Sequence, residues 1–402
     1  MARPNVTIKF RNGALGSVAA SADGVCGLVI SGAAVTGKLE LGKTYVLYSP
    51  DSLDALGITG ETNDPNVLAY QCVQQFYAEA GNGAELWLMV MAASTKASDM
   101  LDPTKDNARK LVRASGGRVR TLAAVAKTGS GTTEHGLDAD VWAALAKGQL
   151  LGEWATDTLY APIAVLIEGK GYANGSATDL TDLGEGSQNR VGIVVGQPMA
   201  EGTAYGSLVA VALGRVAKLS VQTHIGRVRD GALTVTAATV DGTVDMTDAD
   251  VDTLNNKGYI TLTTYVGRSG YFFCDDHLAT SVKDDYHSLA RRRVVDKAYR
   301  IAYDTLLDHL KEEVACNSDG TIVAAVAKAW EADVVTAVYN QMTSNGELGS
   351  DPADSKDKGV RCTVDTVQNV VSTSKVKVTI GVKPYGYAKY IEASLGFTAI
   401  ES

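Results

Sequence analysis

Between residues 24 and 225 the chain repeats one pattern that restricts its fold severely. Six short runs, residues 25–30, 45–48, 85–91, 119–126, 163–167 and 191–195, are nearly continuous Val, Ile, Leu and Ala. Strands read this way when both faces of their sheet are covered, because every side chain then meets an apolar layer. The stretches between them read as helices. Residues 65–80 place Leu68, Cys72, Val73, Phe76, Tyr77 and Ala80 at three-four spacing and stop at "GNG", and residues 138–154 and 204–219 are further helices. Strand and helix in alternation predict a layered α/β region.

Within that region, residues 37–44 spell "GKLELGKT", a letter-for-letter match to the phosphate-loop pattern G-x-x-x-x-G-K-[ST]. A working phosphate loop needs a buried strand, an immediate glycine turn and a helix that starts at the Lys-Ser/Thr pair, so that helix-end amides cradle the phosphates. Here the segment after Thr44 is "YVLYSP", a β-type run closed by Pro50. The overlapping frame at Gly32 follows a strand but ends in Leu39, which offers no hydroxyl for Mg²⁺. Glu168, which ends the run "VLIE", is the acid such a site would recruit. The surroundings predict a loop and a second strand, and the nucleotide hydrolase stands as the distant alternative.

Beyond residue 225 the texture changes. Residues 227–273 are rich in Thr and Val with Gly and Asp punctuation, which predicts β hairpins. Two long helices are expected over 284–314 and 321–342. Both ends of the chain then alternate like half-buried strands. Val6, Ile8 and Phe10 alternate with Thr7 and Lys9 near the start. Residues 376–382 alternate, and after "PYGY" so do Ile391, Ala393, Leu395 and Phe397. A terminal strand either closes its own sheet or adds to that of a neighbour.

Chemistry has few candidate carriers. The net charge of −9 gives no electrostatic footprint for nucleic-acid phosphates. Five scattered cysteines form no CxxC and read as reduced, packed thiols. "CDDH" at 274–277 and "DDYH" at 284–287 gather ligand-type residues without a structural-zinc spacing, and the second also reads as the acidic first turn of a helix. Arg291, Arg292 and Arg293 are the one basic concentration, read as a solvated helix face or as a contact for an acidic partner. No catalytic residue, cofactor site or metal site is assigned.

Three blocks resemble the contractile tail sheath proteins of bacteriophages: "DGVCGLVISGAAVTGKLELGKTYVLYSPDSLDALG", "LAYQCVQQFYAEAGNGAELWLMVM" and "KVKVTIGVKPYGYAKYIEASLGFTAI". The helical "RRRVVDKAYRIAYDTLLDHL" is similar more loosely. Many members have an Arg after the strand of the second block, where this chain has Met91 and Ala92. The resemblance implies a layered α/β core with a β-rich insertion, two long C-terminal helices and terminal strand arms. It divides the chain into an arm over 1–20, an α/β region over 21–225 whose part 92–225 is variable, a β-rich region over 226–282, a helical C-terminal core over 283–387 and an arm over 388–402. It further implies a non-enzymatic subunit without cofactor, polymerising as stacked hexameric rings around an inner tube and contracting to drive that tube through a cell envelope. Val6, Ile8, Phe10, Ile391, Leu395 and Phe397 would link subunits, and Arg291–Arg293 would face the tube. The implied partners are neighbouring sheath subunits, the tube protein, baseplate and tail-terminator proteins, with no direct nucleic acid and no membrane. The implied place is a virion tail assembled in the host cytoplasm, and the sheath of a bacterial contractile injection system or bacteriocin shares the same physics.

Overall fold

The computed structural model describes residues 22–396. Its chain divides between Asp304 and Thr305 into two compact units.

In the first unit the six apolar runs become six strands of one sheet: Cys26–Gly32 (β1), Thr44–Leu47 (β2), Leu86–Ala92 (β3), Thr121–Val125 (β4), Ala164–Glu168 (β5) and Val191–Val194 (β6), in the order β2-β3-β1-β4-β5-β6. Neighbours are parallel except β2, which runs antiparallel to β3. The main helices are Val67–Ala80 (α1), Ala108–Ala114 (α2), Ala139–Leu159 (α3) and Leu208–Lys218 (α4). They cover both faces, which explains why β1, β3, β4, β5 and β6 are apolar at most consecutive positions. Cys26 points its thiol at the Leu213 carbonyl of α4, while a Cβ on the next residue, Gly27, would touch Leu111 of α2. At Gly214 a Cβ would lie 2.4 Å from the Phe76 carbonyl, so glycine there lets α4 lie directly on α1. Strands β4, β5 and β6 all fall after residue 92, so the part expected to be variable supplies half of this sheet.

Two sequence expectations change. In the region 227–273 Leu262–Thr263 pairs antiparallel with Phe272–Phe273 as a hairpin, whereas Ala237–Thr239 pairs with residues 197–199 and Val251–Asn256 is a helix. The aspartates of this region explain the difference, since Asp241, Asp245 and Asp250 bond the backbone N–H groups two or three residues ahead and so compete with ladder formation. The first long helix is Leu289–Leu307 (α5), not 284–314. Asp284 lies before it and takes the Tyr286 N–H, and the bridge between Ser288 and His277 holds the chain extended until Leu289.

The second unit contains the helix Ala324–Gln341 (α6) and the antiparallel pair Val360–Val364 (β7) and Val378–Val382 (β8), in register from Val360↔Val382 to Val364↔Val378. Ile322, Ala327, Trp330 and Val364 form its small core. The Glu331 carboxylate accepts the Val364 N–H at 3.0 Å and fixes α6 to β7. From Pro384 to Gly396 no strand forms, and residues 388–396 are exposed throughout.

Candidate functional site

The glycine-rich match at 37–44 folds as a strand connection. Val35 and Leu39 bridge across a turn in which Gly37 has φ 74°, and Gly42 has φ 68°, a region that glycine enters freely. Thr44 opens β2, so no helix end points amides at a phosphate. Lys43 pairs instead with Glu40 at 2.7 Å. Glu168 accepts the Ser207 hydroxyl, and Ser207 caps α4. The crevice beyond the ends of β1 and β4, where α/β sheets hold ligands, is bridged by the chain itself. Asn66 accepts the Ala33 N–H, Ser31 accepts the Lys127 N–H, and Lys170 donates to the carbonyls of Ala126 and Lys127. Nucleotide turnover should stay at buffer level for the unaltered chain and for Lys43→Ala alike; hydrolysis lost on substitution would restore the phosphate-loop reading.

The ligand-type residues regroup around His224. Its Nε2 lies 2.9 Å from Asp275 and 3.1 Å from Asp276, and these three offer ligand atoms within 4.8 Å of one another. Burial disfavours the charged ring, but the carboxylates of Asp276 and Asp275 outweigh it and raise the His224 pKa to about 10, so Nε2 holds a proton toward them. That nitrogen is a donor here rather than a metal ligand. The cluster does structural work: the Asp276 carbonyl and carboxylate accept the N–H groups of Leu289 and Ala290 and cap α5. Asp284 and His287 lie outside it, and Asp284 accepts from Asn189 and Thr280. Cys26 is deeply buried, which pushes its thiol up to about 12.

The arginine run is turned inward at two of its three positions. Arg293, 4% exposed, donates to the carbonyls of Val216, Leu219 and Ser220 at the end of α4, where a cation meets the negative end of the helix dipole. Arg292 is buried against Asp296, which also pairs with Arg190. Arg291 is half-buried. The guanidiniums of Arg292 and Arg293 thus have partners inside the unit and present no external face toward a tube.

Sequence reasoning missed the anchor of the N-terminal segment. Asp23 pairs with Lys297 at 2.6 Å and Arg300 at 2.8 Å, one turn apart on α5. Burial disfavours the Asp23 carboxylate, but the Lys297 hydrogen bond and the charges of Lys297, Arg300 and Arg120 outweigh it and lower its pKa. A carboxylate with a lowered folded pKa stabilises above the unfolded value and loses that contribution as pH falls through the folded one. Asp23→Asn should therefore cost on the order of 1–2 kcal/mol at neutral pH, with the two melting curves converging as the pH drops below 3.8. A difference that persists unchanged into acid would show that the charge is not the cause. Of the arm residues, Ile391 and Leu395 are 82% and 102% exposed, whereas Val6, Ile8, Phe10 and Phe397 lie outside the described residues.

The sequence models for the two domains of DUF2586 match this chain, the N-terminal domain over residues 3–277 and the C-terminal domain over 285–400. The chain belongs to the DUF2586 family. No curated protein matches it by sequence. Solved structures similar to this DUF2586 chain include sheath proteins. The helical sheath of the anti-feeding prophage in its contracted state matches with TM-score 0.65 and 16% identity over 98% of this chain and 99% of that one. A chain of the six-fold symmetrised anti-feeding prophage baseplate matches with TM-score 0.64 and 14% identity, covering 99% and 100%. The sheath tail protein of Desulfitobacterium hafniense matches with TM-score 0.52 and 11% identity, covering 94% and 100%. The DUF2586 chain has the contractile tail sheath fold along nearly its whole length. Among the described residues, no helix is long and apolar enough to cross a membrane.

Proposed function

We propose that this chain is the structural subunit of a contractile tail sheath, polymerising as stacked hexameric rings around an inner tube and shortening to drive the tube through a target envelope. The observation that carries the reading is the end-to-end likeness of fold to sheath chains, joined to an exposed apolar C-terminal segment. The geometry supports strand addition as the linkage. Strands β7 and β8 form a pair with two outer edges, and a two-stranded sheet gains stability from further strands. The N-terminal arm, with Val6, Ile8 and Phe10, and the C-terminal arm, with Ile391, Leu395 and Phe397, supply one strand for each edge of neighbouring subunits. Backbone hydrogen bonds of this kind hold while the globular bodies rotate and repack.

On this reading the partners are other copies of the chain, the inner tube, the baseplate and the tail terminator. The subunit assembles in a bacterial cytoplasm into a virion tail, and a bacterial contractile injection system or bacteriocin would use it in the same way. Energy is stored in the assembled lattice, so no nucleotide, cofactor or metal is required. Sedimentation of the purified chain tests this: large assemblies should form equally with chelator present and nucleotide absent, and assembly that needs either would contradict the proposal.

A further inference from the structure

Two separate surfaces of the first unit carry opposite charge. Between residues 103 and 120 stand six cations and one acid. Several are spent internally: Lys105 on Asp99, Arg109 on Asp106 and Arg118 on Glu85, while Arg120 is largely buried, which lowers its pKa to about 10. Lys110 and Arg113 of α2 are exposed, and among the described residues no carboxylate lies within ion-pair distance of either. Both are held in place. Lys110 donates to the Gly42 carbonyl in the connection leading into β2, and the Arg113 guanidinium lies over the Trp154 ring at 5.2 Å. Cations fixed in this way lose little entropy when a partner arrives.

On the other surface, residues 241–252 hold five aspartates and no cation. This stretch lies beside β6, because Asp250 and Thr253 lead through the helix Val251–Asn256 to Ile260, which bridges Val194. Asp245, Asp250 and Asp252 are exposed, and among the described residues no cation pairs with them. Asp250 and Asp252, with Thr247, Thr263 and Thr264, line an open concavity of about 200 Å³. Helix α2 packs over β1, and residues 241–252 lie beside β6, three strands further along the sheet and so roughly 14 Å away at about 4.8 Å spacing; among the described residues no ion pair joins the two surfaces.

We infer that a second copy of this chain is the occupant of each surface: Lys110 and Arg113 of one copy dock on the Asp250–Asp252 concavity of the next. Both halves of the match belong to one polypeptide and are supplied in equal number. Because the two surfaces differ, the contact is head-to-tail, and a head-to-tail contact generates a ring or a helical array. Exposed charges at such a contact chiefly set register and partner choice. The setting rests on the sheath reading, which supplies a homopolymer, but the contact is tested separately from it.

The test uses the full chain with the substitutions Lys110→Glu and Arg113→Glu together, Asp250→Asn and Asp252→Lys together, and all four combined. Asn at 250 keeps the capping acceptor for Thr253, and thermal melts identify any variant that fails to fold. Each double variant should reduce the pelletable assembly about tenfold, and the combination should exceed both. Assemblies of the unaltered chain treated with a zero-length carbodiimide should give a Lys110–Asp250 or Lys110–Asp252 link between copies, and this readout also applies to concentrated protein that forms no tubes. Double variants that assemble like the unaltered chain, a combination no better than its parents, or the absence of that link would overturn the inference. Failure of the unaltered chain to form any tubes would instead count against the sheath reading.

Discussion

Deletion of residues 388–402 should yield a protein that folds and melts like the full chain and does not assemble. The described part of this segment, residues 388–396, is exposed throughout, and Tyr390, Ile391 and Leu395 stand 84%, 82% and 102% in solvent. Removing groups that are already in water costs the monomer little, so the melting temperature should move by no more than about 2 °C. Three large apolar side chains on a strand-patterned, exposed segment are otherwise unfavourable for a lone protein. They gain their burial only on another molecule. Deletion of residues 1–20 should act in the same way, because the body retains the Asp23 anchor on α5. Circular dichroism gives the fold and sedimentation gives the assembly. Tubes formed by both truncated proteins would remove the arms from the account.

The largest loss of monomer stability is expected from Asp296→Ala. This carboxylate is 3% exposed and lies between two buried guanidiniums, Arg190 from the start of β6 and Arg292 of α5. Its removal leaves both cations without their counter-charge in a place that water scarcely reaches. Breaking a buried pair in this way costs about 3–5 kcal/mol, or roughly 10 °C of melting temperature for a unit of this size. Replacing Arg190, Arg292 and Asp296 together by Met, Met and Leu should restore most of the loss, since an apolar trio carries no desolvation debt. A calorimetric melt checks both. An Asp296→Ala protein within 2 °C of the unaltered chain would show that the site is wetter than its burial indicates.

The six strands were legible because a sheet covered on both faces must be apolar at consecutive positions, and the runs at 25–30, 85–91 and 191–195 have no other simple reading. The misleading phosphate-loop letters were resolved by the same logic, since Tyr45 and Val46 continue as a strand where a helix was required. The aspartates of 241–252 were harder to read: Thr and Val suggested hairpins, but Asp241 and Asp245 take the local N–H groups first. The start of α5 was misplaced because its cap comes from Asp276, eight residues upstream of Asp284, where pattern alone puts the acidic first turn. The inward turn of Arg292 and Arg293 was invisible for a related reason. Three adjacent arginines look like a solvated face until the end of α4 and Asp296 are brought against them. Asp23 and its partners on α5 lie more than 270 residues apart in sequence, and no local periodicity encodes such a pair.

On the proposed reading, with linking arms and surfaces of opposite charge added to the sheath fold, the working form of this chain is a tube of many copies. Negative-stain electron microscopy of the concentrated full-length protein tests that most directly. Hollow, transversely striated tubes with six-fold end views are the predicted result. A chain that remains monomeric at high concentration, alone and with a purified inner tube offered as template, would contradict the account.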